Sequence, residues 1–353
     1  MENVINPLAA QWAALKEEQP GLRIRNAAKA LDVTEVQLLA TRCGDGVKRL
    51  KPPFQEILKE IESLGKVMAL TRNEEVVHER KGVYLNPSLE HAHVGLFVGE
   101  DIDLRIFFQS WASAFAVEEA FKGKVRRSLQ FFAKDGYAIH KIYLTPHSDV
   151  AAFEVLVAKY LHEDQSPIQE GIEPVKEKEA EKPDAEIDVA TFQEGWRKLE
   201  DTHQFFGLVK KHKLSRSQAL RLAPEGNYAV PVKPQALRDI ITKASEKQVP
   251  IMVFVGNQGM IQIHSGPVKK LLDYQQWFNI MDPDFNLHVN EPAITQTWVV
   301  RKPTEDGTVT ALECFNEKGD QVVQFFGKRK PGIPELEGWR EIVAEVEAEL
   351  RLH

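Results

Sequence analysis

The chain has 353 residues, 43% of them hydrophobic and 27% charged, with a net charge of −7. This is the composition of an ordinary globular protein of about two domains, and the negative balance argues against bulk binding to nucleic acid or anionic membrane, a local basic patch aside. Cys43 and Cys314 make no framework and no CxxC, which fits a reducing cytoplasm; the N-terminus lacks a basic region followed by an apolar core, and no apolar run reaches about 18 residues, so neither a secretory signal nor a membrane span is expected.

In chain order, the apolar spacing predicts helices over 7–18, 25–31, 34–42 and 53–64. Alternating or continuous apolar runs predict strands over 66–71, 75–80, 93–98, 103–109, 127–133 and 137–144. Residues 163–188 are dense in Glu, Lys and Pro and contain no aromatic, so they are expected to form an acidic flexible linker. Helices follow at 190–212, 217–223 and 234–246. Strands are expected at 250–255, 259–264, 275–280, 285–289, 295–301, 308–315 and 320–326, then a closing helix at 334–351. Thr34 and Ser217 stand as N-caps at equivalent places. Lys134-Asp135-Gly136 and Glu317-Lys318-Gly319 are hairpin turns.

The second half repeats the first at an offset of about 183 positions. Leu31-Asp32-Val33-Thr34-Glu35-Val36 aligns with Leu214-Ser215-Arg216-Ser217-Gln218-Ala219. Leu129, Phe132 and Gly136 meet Leu312, Phe315 and Gly319. A period this long is a duplicated domain rather than a solenoid. The expected architecture is α+β: residues 1–162 and 189–353 as two copies, each a large antiparallel β-sheet with flanking helices, related by a pseudo-twofold axis.

Several residues carry candidate chemistry. Segment 25–42 has the outline of a helix-turn-helix, but Asp32 and Glu35 offset Arg23, Arg25 and Lys29, and the same pattern recurs at 214–223. His91 and His93 share a strand face, yet a zinc site needs a third ligand that the sequence does not locate. No GxSxG, P-loop, HExxH or dinucleotide fingerprint is present. His203 precedes an aromatic pair and corresponds to Pro20 in the first copy, so the repeat itself does not require it. Arg105 lies in a largely apolar strand and needs a partner, Asp101 or Asp103, or a ligand. Arg216, Lys302 and Arg329 replace Val33, Glu119 and Pro146, and cations gained in the copy that bears His203 suggest an anionic ligand. Met252 and Phe254 share one strand face, as do Gln324 and Phe326, giving an apolar wall with a polar rim or ordinary core. An imidazole, a flat apolar slot and carboxylate-binding cations are together what a haem requires.

Ile102-Asp103-Leu104-Arg105, His203-Gln204-Phe205-Phe206-Gly207, Asp282-Pro283-Asp284-Phe285-Asn286-Leu287-His288, Trp298-Val299-Val300-Arg301-Lys302-Pro303-Thr304 and Gln324-Phe325-Phe326-Gly327-Lys328-Arg329 occur in an order that resembles the cytoplasmic haem-utilisation proteins of the HemS/ChuS group. The resemblance covers nearly the whole chain outside the linker. It implies a tandem duplication with haem held in the cleft between the halves. It also implies His203 as the axial ligand of the haem iron, Arg105 as the distal residue, Arg216, Lys302, Gln324 and Arg329 as polar and basic pocket residues, and Met252 and Phe254 as wall. One departure stands out: the family's pocket tyrosine is Phe326 here. The activity implied is oxidative haem degradation that releases iron, with Arg105 and His203 catalytic and electrons from an external donor such as a separate reductase. The alternative is a non-catalytic carrier that takes haem from an inner-membrane transporter and passes it to a haem oxygenase. Nucleic acid is not expected as a partner, and monomer and homodimer both stay open.

Overall fold

A computed structural model describes residues 6–329 and 332–352. The fold is α+β, and the chain divides into two compact units. Unit 1 runs up to Arg72 and takes in Glu79–Lys176 and Asn257–Gln262. Unit 2 comprises Asn73–His78, Glu177–Gly256 and the chain from Ile263 onward. Each unit therefore contains six residues that belong to the other repeat in sequence.

Unit 1 opens with α1 (Pro7–Glu18), α2 (Ile24–Ala30) and α3 (Glu35–Ala40). Thr34 caps α3 through a capping box with Gln37, as its position suggests. Then come β1 (Val47–Leu50), α4 (Phe54–Lys59), β2 (Gly65–Arg72), β3 (Val76–Gly82, its first three residues counted in unit 2), β4 (Pro87–Ser88), β5 (Val94–Val98), β6 (Asp103–Phe107), β7 (Trp111–Phe121), β8 (Lys124–Ala133), β9 (Ala138–Ser148) and α5 (Val150–Lys159). The strands pair antiparallel in the order β1-β7-β8-β9-β2, and β4, β5 and β6 pair antiparallel as a three-stranded ribbon. One face of the five-stranded run packs Leu129, Phe131 and Ile142 against Ile57 and Leu58 of α4 and Phe153 and Leu156 of α5. The other packs Phe115, Val117 and Phe132 against Val36 and Leu39 of α3. Five of the six residues of α3 are buried, Glu35 among them. A helix committed to the interior in this way has no face left for a DNA groove.

Unit 2 follows the same plan: α6 (Val189–Arg197), α7 (Gln204–Lys211), α8 (Arg216–Arg221), β10 (Ala229–Val232), α9 (Ala236–Glu246), β11 (Ile251–Gly256), β12 (Met260–Gly266), β13 (Leu271–Tyr274), β14 (Trp277–Met281), β15 (Phe285–Asn290), β16 (Gln296–Thr304), β17 (Gly307–Phe315), β18 (Gln321–Gly327) and α10 (Glu337–Leu350). The run is β10-β16-β17-β18-β11, with β13-β14-β15 as the ribbon. Val299, Leu312, Phe325 and Val253 point to one face and bury Leu237 and Ile240 of α9 with Trp339 and Ile342 of α10. Strand alternation sends their neighbours to the opposite face, where Val300 and Trp298 pack with Phe192, Trp196 and Phe205 from α6 and α7.

Three expectations change. The helix expected at 190–212 is two helices, broken over 198–203, where Asp201 turns its carboxylate to the backbone N–H of His203 (2.7 Å). The N-cap of α8 is Ser215, not Ser217, because Ser215 Oγ accepts from the Gln218 N–H at 3.0 Å. The region expected as one helix at 53–64 is α4 and a short 3-10 turn, ended by Gly65 at φ +70°. Both hairpin glycines do take positive φ, Gly136 at +79° and Gly319 at +69°.

The acidic segment between the repeats lacks the apolar area to pack by itself, and polar contacts stand in for it. In unit 1, Arg49 binds the carbonyls of Ser166 and Ile168 and the side chain of Gln169, and the Glu173 N–H donates to the Lys134 carbonyl. In unit 2, Glu181 accepts from Ser217 (3.1 Å), Ser215 and Arg221, and Gln218 donates to Lys182 O and Asp184.

Candidate functional site

Antiparallel partners in register share a face, and this collects most of the candidate residues of unit 2. Trp298, Glu313, Gln324 and Phe254 form one row across β16-β17-β18-β11, and Val300, Ala311, Phe326 and Met252 form the next. Lys302 opposite Val309 opens a third. The wall residues Met252 and Phe254 thus join Gln324 and Phe326 on one half-buried surface, with the Phe254 and Phe326 rings 5.0 Å apart.

His203 stands at the start of α7, its side chain 88% exposed. Asp201 holds its Nδ1 at 2.6 Å and its backbone N–H at 2.7 Å, and those bonds depress the Asp201 carboxyl below its ordinary range. With Nδ1 engaged, Nε2 is the ring nitrogen left to face a ligand. Phe206 is also largely exposed, whereas Phe205 turns inward.

Arg216 and Lys302 lie over the Phe205 ring, at 4.5 and 5.0 Å from its centroid. Both bind Glu313, which is fully buried. Arg216 Nε donates at 2.9 Å and Nη2 at 2.5 Å, Lys302 Nζ at 3.0 Å, and Gln321 Nε2 at 2.7 Å. Burial raises the Glu313 carboxyl, but Arg216 and Lys302 overcome this and bring it to about 2. Burial, with repulsion from Arg216, takes Lys302 down to about 8 against the pull of Glu313. The two cations expected to meet an anionic ligand therefore already share one carboxylate. A protonated Lys302 leaves the cluster one positive charge in surplus. Arg329 lies apart from this cluster and donates to Asp306 at 3.2 Å. Near it Glu335 accepts from the Thr310 N–H at 2.8 Å, and burial pushes its carboxyl up to about 7.

Glu313 is the member that sequence reading missed. Its signal was an acid inside Val309-Thr310-Ala311-Leu312-Glu313-Cys314-Phe315, a run apolar on both faces, where a carboxylate requires a cation. Unit 1 solves the same problem in reverse. There the matching strand position is Gln130, and the buried acid is Glu35 on α3, bound by Arg72 and Lys141. Lys141 matches Gln324. In unit 1 a lysine and its ion pair with Glu35 fill the position that in unit 2 carries a half-buried neutral amide.

Arg105 sits on β6 in unit 1, opposite Leu96. Of the two candidate partners, Asp103 binds it, while Asp101 pairs with Arg80. Burial raises the Asp103 carboxyl, with Arg105 opposing. The ribbon face that presents Arg105 carries its partner Asp103 beside the apolar Val94, Leu96, Val98 and Phe107, and Val94 and Val98 are exposed. His91 and His93 lie 5.8 Å apart, ring to ring, and among the described residues no group of three His, Cys, Asp or Glu is placed to hold a metal.

The model of the haemin-degrading HemS.ChuX domain family matches this sequence twice, over residues 32–160 and 213–346, once in each repeat. The chain belongs to this family. Members similar to it along their whole length include the hemin transport protein HmuS of Yersinia pestis, 39% identical over 96% of this chain and 97% of that one. Among solved structures, holo-PhuS, a heme-binding protein from Pseudomonas aeruginosa, superposes with a TM-score of 0.93 at 44% identity, covering 96% of this chain and 98% of that one. ChuS, described as an E. coli heme oxygenase, gives 0.86 at 35% identity, covering 97% and 99%. Within the HemS.ChuX family frame, the unit 2 face bearing Met252, Phe254, Gln324 and Phe326 and the exposed His203 are the candidate site. No described helix is long and apolar enough to cross a membrane.

Proposed function

We propose that this protein binds haem and that His203 is the axial ligand of its iron. The observation that carries the reading is an exposed imidazole whose Nδ1 is fixed by Asp201, in the same unit as a sheet face of Met252, Phe254 and Phe326. A flat apolar macrocycle suits that wall, and its carboxylates suit the surplus charge on Arg216 and Lys302, with Gln324 and Arg329 as further polar contacts. Arg105, a guanidinium on an apolar ribbon, suits donating hydrogen bonds to polar groups at the iron centre. The relatives support the ligand: one is described as heme-binding, one as a hemin transport protein.

Beyond binding, we favour oxidative opening of haem with release of iron, as the heme oxygenase relative suggests. The sequence has no flavin or nicotinamide fingerprint, so the electrons come from a separate reductase or a small reductant. The second reading is a carrier that receives haem from an inner-membrane transporter and passes it to a haem oxygenase, favoured by the hemin transport relatives. Two free thiols, Cys43 and Cys314, support a cytoplasmic setting.

The test is an absorbance time course of the haem-loaded protein after adding ascorbate with catalase present. Loss of the Soret band with chelatable ferrous iron establishes degradation. A band that stays stable both with ascorbate and with NADPH plus a reductase supports the carrier, and failure to load haem removes both readings.

A further inference from the structure

Far along the chain from these residues, unit 1 has an open cavity of about 620 Å³ between β1, the start of β7 and the strap formed by residues 162–170. Its floor holds Arg49, only 8% exposed. The Arg49 guanidinium meets neutral acceptors alone. Nη2 donates to Ile168 O at 2.9 Å and Ser166 O at 3.3 Å, and Nη1 to the Gln169 side-chain oxygen. Nε is buried without a partner, and the Phe115 ring lies 4.9 Å from the guanidinium carbon. Among the described residues no carboxylate forms an ion pair with it; Asp164, on the same cavity, has its carboxyl held down first by bonds from Ser166 and only then by the Arg49 charge. Elsewhere in this protein, buried cations are matched: Lys302 by Glu313, and Arg72 and Lys141 by Glu35. A buried guanidinium with no anion bonded to it is costly, and an anionic ligand seated on its fork relieves that cost.

We propose that this cavity binds a small monocarboxylate with an apolar tail, with Arg49 as its counter-ion. A carboxylate fits the planar guanidinium fork better than the single amide oxygen of Gln169 now in place. Leu50, Pro52, Phe54 and Ile168 line the space a tail would fill. The volume lies within the range of about 300–1,000 Å³ typical of small-molecule sites. Asp164 and Glu170 line the same cavity and are exposed; their charges oppose any anion, and a dianion such as a phosphate monoester about twice as strongly as a monocarboxylate. The carboxylate would take the place of Gln169 and hold the strap through Arg49. The reading is independent of haem.

The experiment is calorimetric titration of the full-length protein with butyrate, hexanoate and octanoate, with amide hydrogen exchange followed across 162–170. Hexanoate is expected to bind more tightly than butyrate and to slow exchange in the strap. Arg49→Met should weaken hexanoate by about tenfold or more, the worth of a charge-assisted pair. Should that variant fail to fold, Gln169→Ala serves instead. It removes the competing acceptor, so hexanoate should bind more tightly than to the unaltered protein. No heat from any of the three acids, equal binding of hexylamine or hexanol, or affinity unchanged in Gln169→Ala would each overturn the proposal.

Discussion

Glu313→Gln keeps the shape of the side chain and removes the one anion that Arg216 and Lys302 share. Both Glu313 and Lys302 are buried, at 0% and 4% exposure, so solvent cannot replace the lost charge. Removing one partner of a buried pair costs roughly 3–5 kcal/mol. The carboxyl gives a second route to the size. It falls from 4.5 to about 2 in the folded protein, which at about 1.4 kcal/mol per unit is worth roughly 3 kcal/mol. A depressed carboxyl contributes its stability above the unfolded value of 4.5 and loses it as pH falls towards 2. Urea unfolding of the two proteins at pH 6 should therefore differ by about 3 kcal/mol. The gap should narrow by about 1.4 kcal/mol per pH unit below 4.5. Above pH 8 it should also shrink, since Lys302 can then shed its proton. A difference under about 1 kcal/mol at pH 6, or a gap unchanged by acid, would refute the assignment of Glu313 as the internal counter-ion.

His203→Ala should leave stability within about 0.5 kcal/mol, because the side chain is exposed, yet weaken haem and alter its absorption spectrum; an unchanged spectrum would remove His203 as the ligand. Arg105→Ala should leave haem binding largely intact and slow its loss under ascorbate, and equal rates would end its catalytic role. Tyr84→Phe deletes the hydroxyl that lies 2.6 Å from His140 Nε2. Burial already drives that imidazole down to about 3, so it stays neutral; Nδ1 keeps Thr71 at 2.9 Å while Nε2 loses its partner, at a cost of about 1–3 kcal/mol by chemical denaturation. For Glu335, raised to about 7 by burial, the sign reverses: the folded state loses stability as pH climbs from 4.5 to 7. Glu335→Gln should then be more stable than the unaltered protein at pH 8 and close to it at pH 4; a melting difference that does not vary with pH would count against it.

Much of the fold was legible because the duplicated pattern shows twice what one copy shows faintly. Thr34 as cap and the two hairpin glycines rest on local chemistry that tertiary context does not override. β7 escaped notice because Trp111-Ala112-Ser113-Ala114-Phe115-Ala116 is rich in alanine, a poor strand former, and is a strand only because β1 and β8 pair with it on either side. The break before His203 was hidden by a helical apolar pattern running across 190–212, which has no way to register the turn made by Asp201. At the site, charge gained in one repeat was visible as cations at Arg216 and Lys302, but which acid they bind was not. Glu313 lies 97 positions from Arg216, and pairing at that distance is set by sheet register rather than by any local signal.

The six-residue exchange between the units bears on how such a gene can evolve. Asn257 donates to the carbonyls of Arg72 and Ile139, Trp111 donates to Gly259 O, and Met260 lies in the core of unit 1. In return, Val76 is buried in the core of unit 2. A gene cut at the linker would give two products, each missing a piece of its own interior. Splitting the chain into two self-sufficient single-repeat proteins would therefore require repair at two places at once.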